Sequence, residues 1–228
     1  MAKFSKKYSL EKFQKMIQEI YGLPDDRLFS VWDLVSNQER FTMRALKGIR
    51  KGNIKKLKFN LLIAFSWLSA VANRLHINIE DAVWMRFPLK CSYCGQSPCQ
   101  CRKIKSESKA KFFRDIAGRP GSLAGFQKMF RLIYPPESRS LFEAGVHLAE
   151  EMGELSETIH CYLGEHQKQQ FRQIEIEIAD YISCVFGVAN SAKIDVSKEL
   201  EKFYSKNCHD CHKSPCECNF TTVAKFKS

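Results

Sequence analysis

Two pairs of acidic residues, each with members three positions apart, stand close together in the second half of the sequence. Glu151 and Glu154 form the first pair, and Glu177 and Asp180 form the second. Positions three apart are neighbours on a helix surface, so each pair presents two carboxylates together. Clustered carboxylates repel one another unless a cation neutralises them, and oxygen ligands of this kind suit Mg²⁺ or Mn²⁺. Such an ion could bridge phosphates and lower the pKa of an attacking water.

Acidic residues at this spacing usually form a solvated helix face. Here both pairs lie beside an apolar stripe of helical period, at a similar angular offset from it. The stripes are Leu148, Met152, Leu155 and Ile159 in one helix, and Ile174, Ile178 and Val185 in the next. If these two helices pack antiparallel, the four carboxylates converge at the rim of the core.

The ten cysteines include two clusters of identical spacing. These are Cys91-x2-Cys94-x4-Cys99-x-Cys101 and Cys208-x2-Cys211-x4-Cys216-x-Cys218. Four thiolates satisfy tetrahedral Zn²⁺, so we expect one structural zinc per cluster, with an iron–sulfur cluster, redox thiols or unliganded packing as the alternatives. The tight spacing of the last two cysteines leaves open ligand sharing between clusters, or participation of His209 or His212. Cys161 and Cys184 fall within helical patterns and are expected to be buried.

The clusters belong to a larger internal repeat. Phe13-Gln-Lys-Met16 returns as Phe126-Gln-Lys-Met129, 113 residues later, and Ile20-Tyr21 and Leu28-Phe29 return at the same shift. Ala72-Asn73 returns as Ala189-Asn190, shifted by 117, so the second copy has gained four residues between its central helices. The repeats span 9–101 and 123–218, and a linker at 102–122 carries a basic stretch from Arg102 to Lys111.

The apolar periodicity is helical in both copies, and alternating strand patterns are scarce. The sequence therefore predicts an all-α protein made of two tandem helical bundles, each ending in a cysteine-rich knuckle. Neither an apolar secretory leader nor an 18-residue apolar run is present, so we expect a cytoplasmic protein without a membrane partner. The net charge of +11 favours a polyanionic partner but does not choose among nucleotides, nucleic acid and anionic membrane.

The two acidic pairs and their flanks resemble the MazG-like, all-α NTP pyrophosphohydrolases. Glu150-Glu-Met-Gly-Glu-Leu-Ser-Glu157 is similar to the first motif of that family, and Glu177-Ile-Ala-Asp-Tyr-Ile182 is similar to the second. The resemblance covers about residues 126–205 and implies Mg²⁺ ligation by Glu151, Glu154, Glu177 and Asp180. It also implies hydrolysis of a nucleoside triphosphate to the monophosphate and pyrophosphate, and a paired arrangement that a tandem chain could form as an intramolecular pseudo-dimer.

The first copy departs from this pattern because no alignment restores its carboxylates. Asn60 and Ile63 replace the second pair, and Gln38 and Phe41, or Asn37 and Arg40, replace the first. We expect this copy not to hold the Mg²⁺ ion and to offer cations to a triphosphate instead. The candidate substrate-binding residues are Lys47, Arg50 and Lys51 from the first copy, and His147, Asn190 and Lys193 from the second. The alternatives are a solvated surface for the cations, a half-exposed polar position for His147 and a structural role for Asn190, which matches Asn73 of the first copy.

Two other functions remain open at this point. The cysteine clusters and the basic surface could bind RNA or DNA, with the bundles as scaffold. The same carboxylates could instead serve a nucleotide sensor that binds without turnover. Homodimerisation is also compatible with the sequence, and no motif encodes the base or sugar preference.

Overall fold

The computed structural model describes residues 3–101, 103 and 118–219, and within these ranges it contains eight α-helices and no β-strand. The predicted all-α class is therefore confirmed. The helices of the first copy are α1 (Leu10–Leu28), α2 (Val31–Arg50), α3 (Ile54–Arg74) and α4 (Ile79–Arg86). Those of the second are α5 (Leu123–Ile133), α6 (Leu141–Glu165), α7 (Lys168–Ser191) and α8 (Val196–Phe203), with a short 3₁₀ helix at Pro136–Ser138. Most of the predicted basic linker lies outside the described residues.

Short polar residues define where the helices begin. The Ser9 and Ser122 hydroxyls accept the N–H of Lys12 and Gly125, and so cap α1 and α5 at equivalent places. Ser30 and Ser140 form reciprocal capping boxes with the acidic residue three positions later, at the start of α2 and α6. Because such side chains satisfy backbone N–H groups that have no partner inside the helix, they fix the helix starts.

The two central helices of the second copy are together eight residues longer than those of the first. The α2–α3 pair has 20 and 21 residues, whereas α6–α7 has 25 and 24. The intervening turns are short in both copies, at residues 51–53 and 166–167. The hairpin that carries both acidic pairs spans 51 residues, against 44 in the first copy, so the excess is seven residues rather than the four predicted. The predicted match of Leu28-Phe29 with Leu141-Phe142 is not kept, because Leu28 ends α1 whereas Leu141 begins α6.

A repeated glutamine explains why Phe-Gln-Lys-Met occurs twice. The Gln14 amide donates to the Ile77 carbonyl at 2.7 Å and to Asn73 Oδ1 at 3.0 Å, and its oxygen accepts the N–H of Ile79 at 3.0 Å. Gln127 makes the same three bonds, to the Ile194 carbonyl, to Asn190 and from the N–H of Val196. Each glutamine therefore joins the first helix of its copy to the start of the last.

The cysteine segments cross between the copies. The N–H of Cys216, from the second copy, donates to the Ile20 carbonyl of α1 at 2.7 Å. Pro24 has no N–H with which to bond that carbonyl within the helix, so the crossing segment supplies the missing donor. The N–H of Cys99 donates equivalently to the carbonyl of Ile133, the last residue of α5, at 2.8 Å. Each knuckle thus docks on the first helix of the other copy.

Buried residues of both copies belong to one contiguous core. Phe130 of α5 stacks on Phe186 of α7, with ring centroids 5.7 Å apart, and Phe65 of α3 contacts Phe186 edge to face. Helices α2 and α6 approach closely at Gly145, where a Cβ would lie 2.8 Å from Ile49 Cδ1. Among the described helices, none combines the length and the apolar character needed to cross a bilayer.

Candidate functional site

The structure brings three of the four predicted carboxylates together. Ligand oxygens of Glu151 on α6 and of Glu177 and Asp180 on α7 lie within 4.8 Å of one another. Glu177 and Asp180 are buried, with 5% and 7% exposure, and Glu151 is half-buried. Glu154 is exposed one turn further along α6, outside the group of three, but near enough to raise the pKa of Glu151 and Glu177 electrostatically. The antiparallel hairpin thus positions the acidic residues as its apolar stripes predict.

Two of the three carboxylates each have a buried oxygen that no donor in the described part of the chain compensates. Among the described residues, Glu151 Oε2 and Glu177 Oε2 are buried without a hydrogen-bond partner, while the Gln173 amide donates to the other Glu177 oxygen. Burial, together with the charges of Asp180, Glu154 and Glu177, raises the pKa of Glu151 to about 8. Unsatisfied buried carboxylate oxygens at this separation fit a divalent cation, which would neutralise the mutual repulsion.

The first copy supplies a cation to this site from a place that the sequence analysis did not identify. Arg86, the last residue of α4, donates from Nε and Nη2 to the two oxygens of Asp180, at 3.0 and 2.8 Å. The guanidinium lies 5.9 Å from the ring centroid of Phe87 and 5.2 Å from that of Tyr93, which stands between Cys91 and Cys94. The side chains of Arg86 and Asp180 are each 10% exposed, so the pair is largely shielded from water.

The comparison of the two copies contains the signal that could have revealed Arg86. At the shift of 117 residues its counterpart is Phe203, and the counterpart of Asp180 is Ile63. At the equivalent junction both partners are therefore apolar, with Phe203 from the second copy and Ile63 from the first. In the structure Ile63 forms a small apolar cluster with Phe41 and Ala64, against which Phe203 packs. This cluster occupies the place equivalent to the carboxylate site.

The sulfur atoms of each cysteine cluster are spaced as zinc ligands. The Sγ–Sγ distances are 3.6 Å for Cys91–Cys101 and 3.9 Å for Cys94–Cys99. A ZnS₄ tetrahedron with bonds of about 2.3 Å has edges of about 3.8 Å. In the second cluster the corresponding distances are 3.8 Å for Cys208–Cys218 and 3.7 Å for Cys211–Cys216. Each set of four lies within 4.8 Å, so each cluster could hold one zinc ion without sharing ligands.

Backbone groups support both sets of sulfurs. The N–H of Gln100 donates to Cys94 Sγ at 3.3 Å, and the N–H of Cys218 donates to Cys216 Sγ at 3.3 Å. The two histidines considered as extra ligands make other contacts. His209 Nδ1 lies 3.1 Å from the Tyr21 hydroxyl, and His212 Nδ1 lies 3.1 Å from the Cys208 carbonyl.

The two remaining cysteines differ in exposure. Cys184 is buried as predicted, but the prediction for Cys161 is wrong, because its side chain is exposed. Cys161 lies near the C-terminal end of α6, next to Tyr162, which packs against the core.

The residues predicted to bind substrate lie at three separate places. Lys47 and Arg50 line a groove between α2 and α6 of about 460 Å³, together with Glu150, and the adjacent Lys51 is exposed. Asn190 and Lys193 line a cavity of about 650 Å³ at the ends of α5 and α7, with Lys128 and Arg131. His147 is exposed on α6, one turn before Glu151. Neither cavity includes the three clustered carboxylates.

Asn190 has a structural role that accounts for its repetition. Its Nδ2 donates to the Gln127 carbonyl at 3.2 Å, and its Oδ1 accepts from the Gln127 amide at 3.0 Å. Asn73 makes the same two bonds with Gln14. Because the copy without carboxylates keeps these bonds, they maintain the fold of each copy.

No family model, no curated protein and no solved structure matches this chain.

Proposed function

We propose that the protein is a divalent-metal-dependent nucleoside triphosphate pyrophosphohydrolase of the MazG-like kind. The observation that carries the proposal is the trio of Glu151, Glu177 and Asp180, in which two buried oxygens lack hydrogen-bond partners among the described residues. A buried acidic site of this kind costs stability unless a cation binds there. The resemblance of both acidic motifs to that family supplies the substrate class.

The side chains of this site have different roles in the proposed reaction. Glu151, Glu177 and Asp180 would hold Mg²⁺ or Mn²⁺, which would neutralise phosphate charge and make water a stronger nucleophile. Arg86 lies against Asp180 and limits the negative charge that a polyphosphate meets on approach. Glu154 is exposed at the rim, where its carboxylate can accept a proton from solvent-side water.

The proposed reaction is a displacement at phosphorus. The oxygen of a water attacks the α-phosphorus of the nucleoside triphosphate while its proton passes to Glu154. The bond from that phosphorus to the bridging oxygen breaks, and pyrophosphate leaves with the bond's electron pair. The products are the nucleoside monophosphate and pyrophosphate.

In this proposal the first copy acts as the partner subunit of an intramolecular pseudo-dimer. It contributes Arg86 to the working site, while its own equivalent site is closed by Phe41 and Ile63. One working site per chain follows. The basic residues Lys47, Arg50 and Lys51 are assigned no role in phosphate binding, because the groove that Lys47 and Arg50 line does not reach the carboxylates.

The test is release of pyrophosphate from a panel of ribo- and deoxynucleoside triphosphates, with Mg²⁺ or Mn²⁺. The panel is run on the wild type and on Glu151→Gln, with Glu157→Gln as the matched control, because Glu157 is exposed on the same helix and lies outside the trio. We expect Glu151→Gln to lower kcat at least a hundredfold, and Glu157→Gln to keep wild-type turnover.

The opposite result is also informative. If no triphosphate is hydrolysed and single-stranded RNA or DNA binds equally to the wild type and to Glu151→Gln, the enzyme proposal fails. A nucleic-acid-binding module would then explain the +11 charge and the paired cysteine clusters. Tight binding of a triphosphate without turnover would instead favour the nucleotide sensor.

A further inference from the structure

The cysteine cluster of the first copy lies at the acidic site of the second copy. Tyr93, within the first cluster, contacts the guanidinium of Arg86, which donates to both oxygens of Asp180. Its ring and that of Phe87 flank the guanidinium of Arg86, at 5.2 and 5.9 Å from the ring centroids. The equivalent segment of the second copy lies instead beside the apolar cluster, where Phe203 stacks on His209. The two clusters therefore border different sites.

The segment that carries Tyr93 depends on cross-links for its shape. Residues 87–101 contain only turns, bends and extended backbone. They are fixed by the Phe87–Phe130 ring contact, by the Cys99 N–H bond to the Ile133 carbonyl, and by the Tyr134 hydroxyl on Cys91 Sγ. Four thiolates on one zinc ion would close this segment into a single rigid loop.

We propose that zinc in the first cluster positions Arg86 against Asp180 through Tyr93 and Phe87, and so sets the divalent-cation affinity of the carboxylate trio in the second copy. Tyr93 is in this view a positioning residue. The inference deepens the proposed function, because it assigns control of the working site to one of the two clusters. Zinc in the second cluster stabilises the fold without this effect.

The sign of the effect follows from the bidentate contact. Arg86 engages both oxygens of Asp180 and places a positive charge where a cation would bind. When Arg86 is less firmly held, Asp180 is freed for the metal, and the affinity of the trio for a lone cation rises. A general loosening of the fold would have the opposite effect, because it would scatter the three carboxylates. The direction of the change thus separates positioning from mere structural support.

The test measures Mn²⁺ affinity by the loss of the free-Mn²⁺ electron paramagnetic resonance signal, without nucleotide, on zinc-loaded full-length protein. The Cys94→Ser/Cys101→Ser double variant is compared with Cys211→Ser/Cys218→Ser, which removes the equivalent ligands of the other cluster. Each should lose one of two zinc ions per chain. We expect Mn²⁺ to bind about three- to tenfold more tightly to the first double variant, and within twofold of wild type to the second.

Single substitutions at Tyr93 leave all eight cluster cysteines in place. They therefore test the proposal even if the cysteine variants do not fold. Tyr93→Ala should retain two zinc ions and bind Mn²⁺ about threefold more tightly. Tyr93→Phe should show a smaller increase, because it keeps the ring and loses only the hydrogen bond of the phenol with Arg86. Equal effects of the two cysteine variants, or weaker or unchanged Mn²⁺ binding in Tyr93→Ala, would overturn the proposal. If wild type binds no Mn²⁺, the cation site and this inference both fail. If it binds Mn²⁺ but hydrolyses nothing, only the proposed activity fails.

Discussion

Replacing Glu177 by glutamine should stabilise the protein in the absence of divalent cations. Glu177 is 5% exposed and lies within 4.8 Å of ligand oxygens of Glu151 and Asp180. Two unit charges at that separation repel by about 3 kcal/mol at an effective dielectric constant of about 20. Because burial and neighbouring carboxylates raise the pKa of Glu151 to about 8, that residue is partly protonated at pH 8, and only part of the repulsion is relieved. We expect a net gain of about 1–2 kcal/mol in the free energy of unfolding.

The assay is thermal unfolding at pH 8 in EDTA, and again with excess Mn²⁺ after zinc loading. For a chain of this length, 1–2 kcal/mol corresponds to a rise in Tm of about 2–8 °C. In Mn²⁺ the order should invert, since a ligand at about 100 times its Kd stabilises the wild type by about 2.7 kcal/mol and the variant loses that gain. The Gln173 contact survives in the variant as an amide–amide hydrogen bond, so little else changes.

Glu175→Gln is the matched control, because Glu175 lies on the same helix but outside the group of three carboxylates. Its Tm should equal that of the wild type both in EDTA and in excess Mn²⁺. The reasoning is refuted if Glu177→Gln lowers the Tm in EDTA, or if Mn²⁺ stabilises that variant as much as it stabilises the wild type.

Three further outcomes are expected. Burial raises the pKa of Asp25 from 3.8 to about 7, although the positive charge of Arg74 partly opposes the shift. The folded state therefore favours the protonated carboxyl, and the free energy of unfolding falls as pH rises from about 4 through 7. Asp25→Asn should therefore add up to about 4 kcal/mol at pH 8 and little at pH 4, as measured by urea unfolding at both values. Asn190→Ala and Asn73→Ala should each lower the free energy of unfolding by about 1–3 kcal/mol and leave the KM for nucleotide unchanged, and a rise in KM for the first alone would restore its predicted substrate role. Ile63→Asp places an unpaired carboxylate in the apolar cluster and should cost about 3 kcal/mol or more by the same assay, whereas a neutral result would mean that this site remains open to water.

The acidic site could be predicted largely from local patterns. Glu151, Glu177 and Asp180 lie at fixed offsets from apolar stripes of helical period, and a helical hairpin converts such offsets directly into proximity. Glu154 has the same offset but lies one turn further along α6, where it is exposed. Periodicity assigns a residue to a face of a helix, but the extent of the neighbouring helices along that face decides whether its side chain is buried.

The contribution of Arg86 could not be predicted in the same way. It comes from the other copy and lies 94 residues before Asp180 along the chain. Its position depends on the packing of α4 of the first copy against α7 of the second. The basic residues of α2 were predicted to bind the triphosphate because they are numerous. Lys47 and Arg50, however, line a groove that does not include the acidic trio. Charge density along a sequence says little about which single cation a fold directs into a buried site.

The repeated residues have a common explanation that the sequence alone did not give. The carbonyl of Ile20 or Ile133 accepts an N–H from a cysteine of the other copy, and the following tyrosine donates its hydroxyl to a cluster sulfur at 3.5 Å. These contacts, like those of Gln14 and Gln127, hold the exchanged knuckles and the last helices in place. The two copies therefore share the backbone and side-chain contacts that hold each cysteine segment on the other copy. They differ in the residues that meet where the last helix of one copy packs on the other. An arginine and carboxylates meet at one junction, and a phenylalanine and an isoleucine occupy the other. Through this exchange of segments, the copy without an acidic site supplies the cation that faces Asp180 of the other copy.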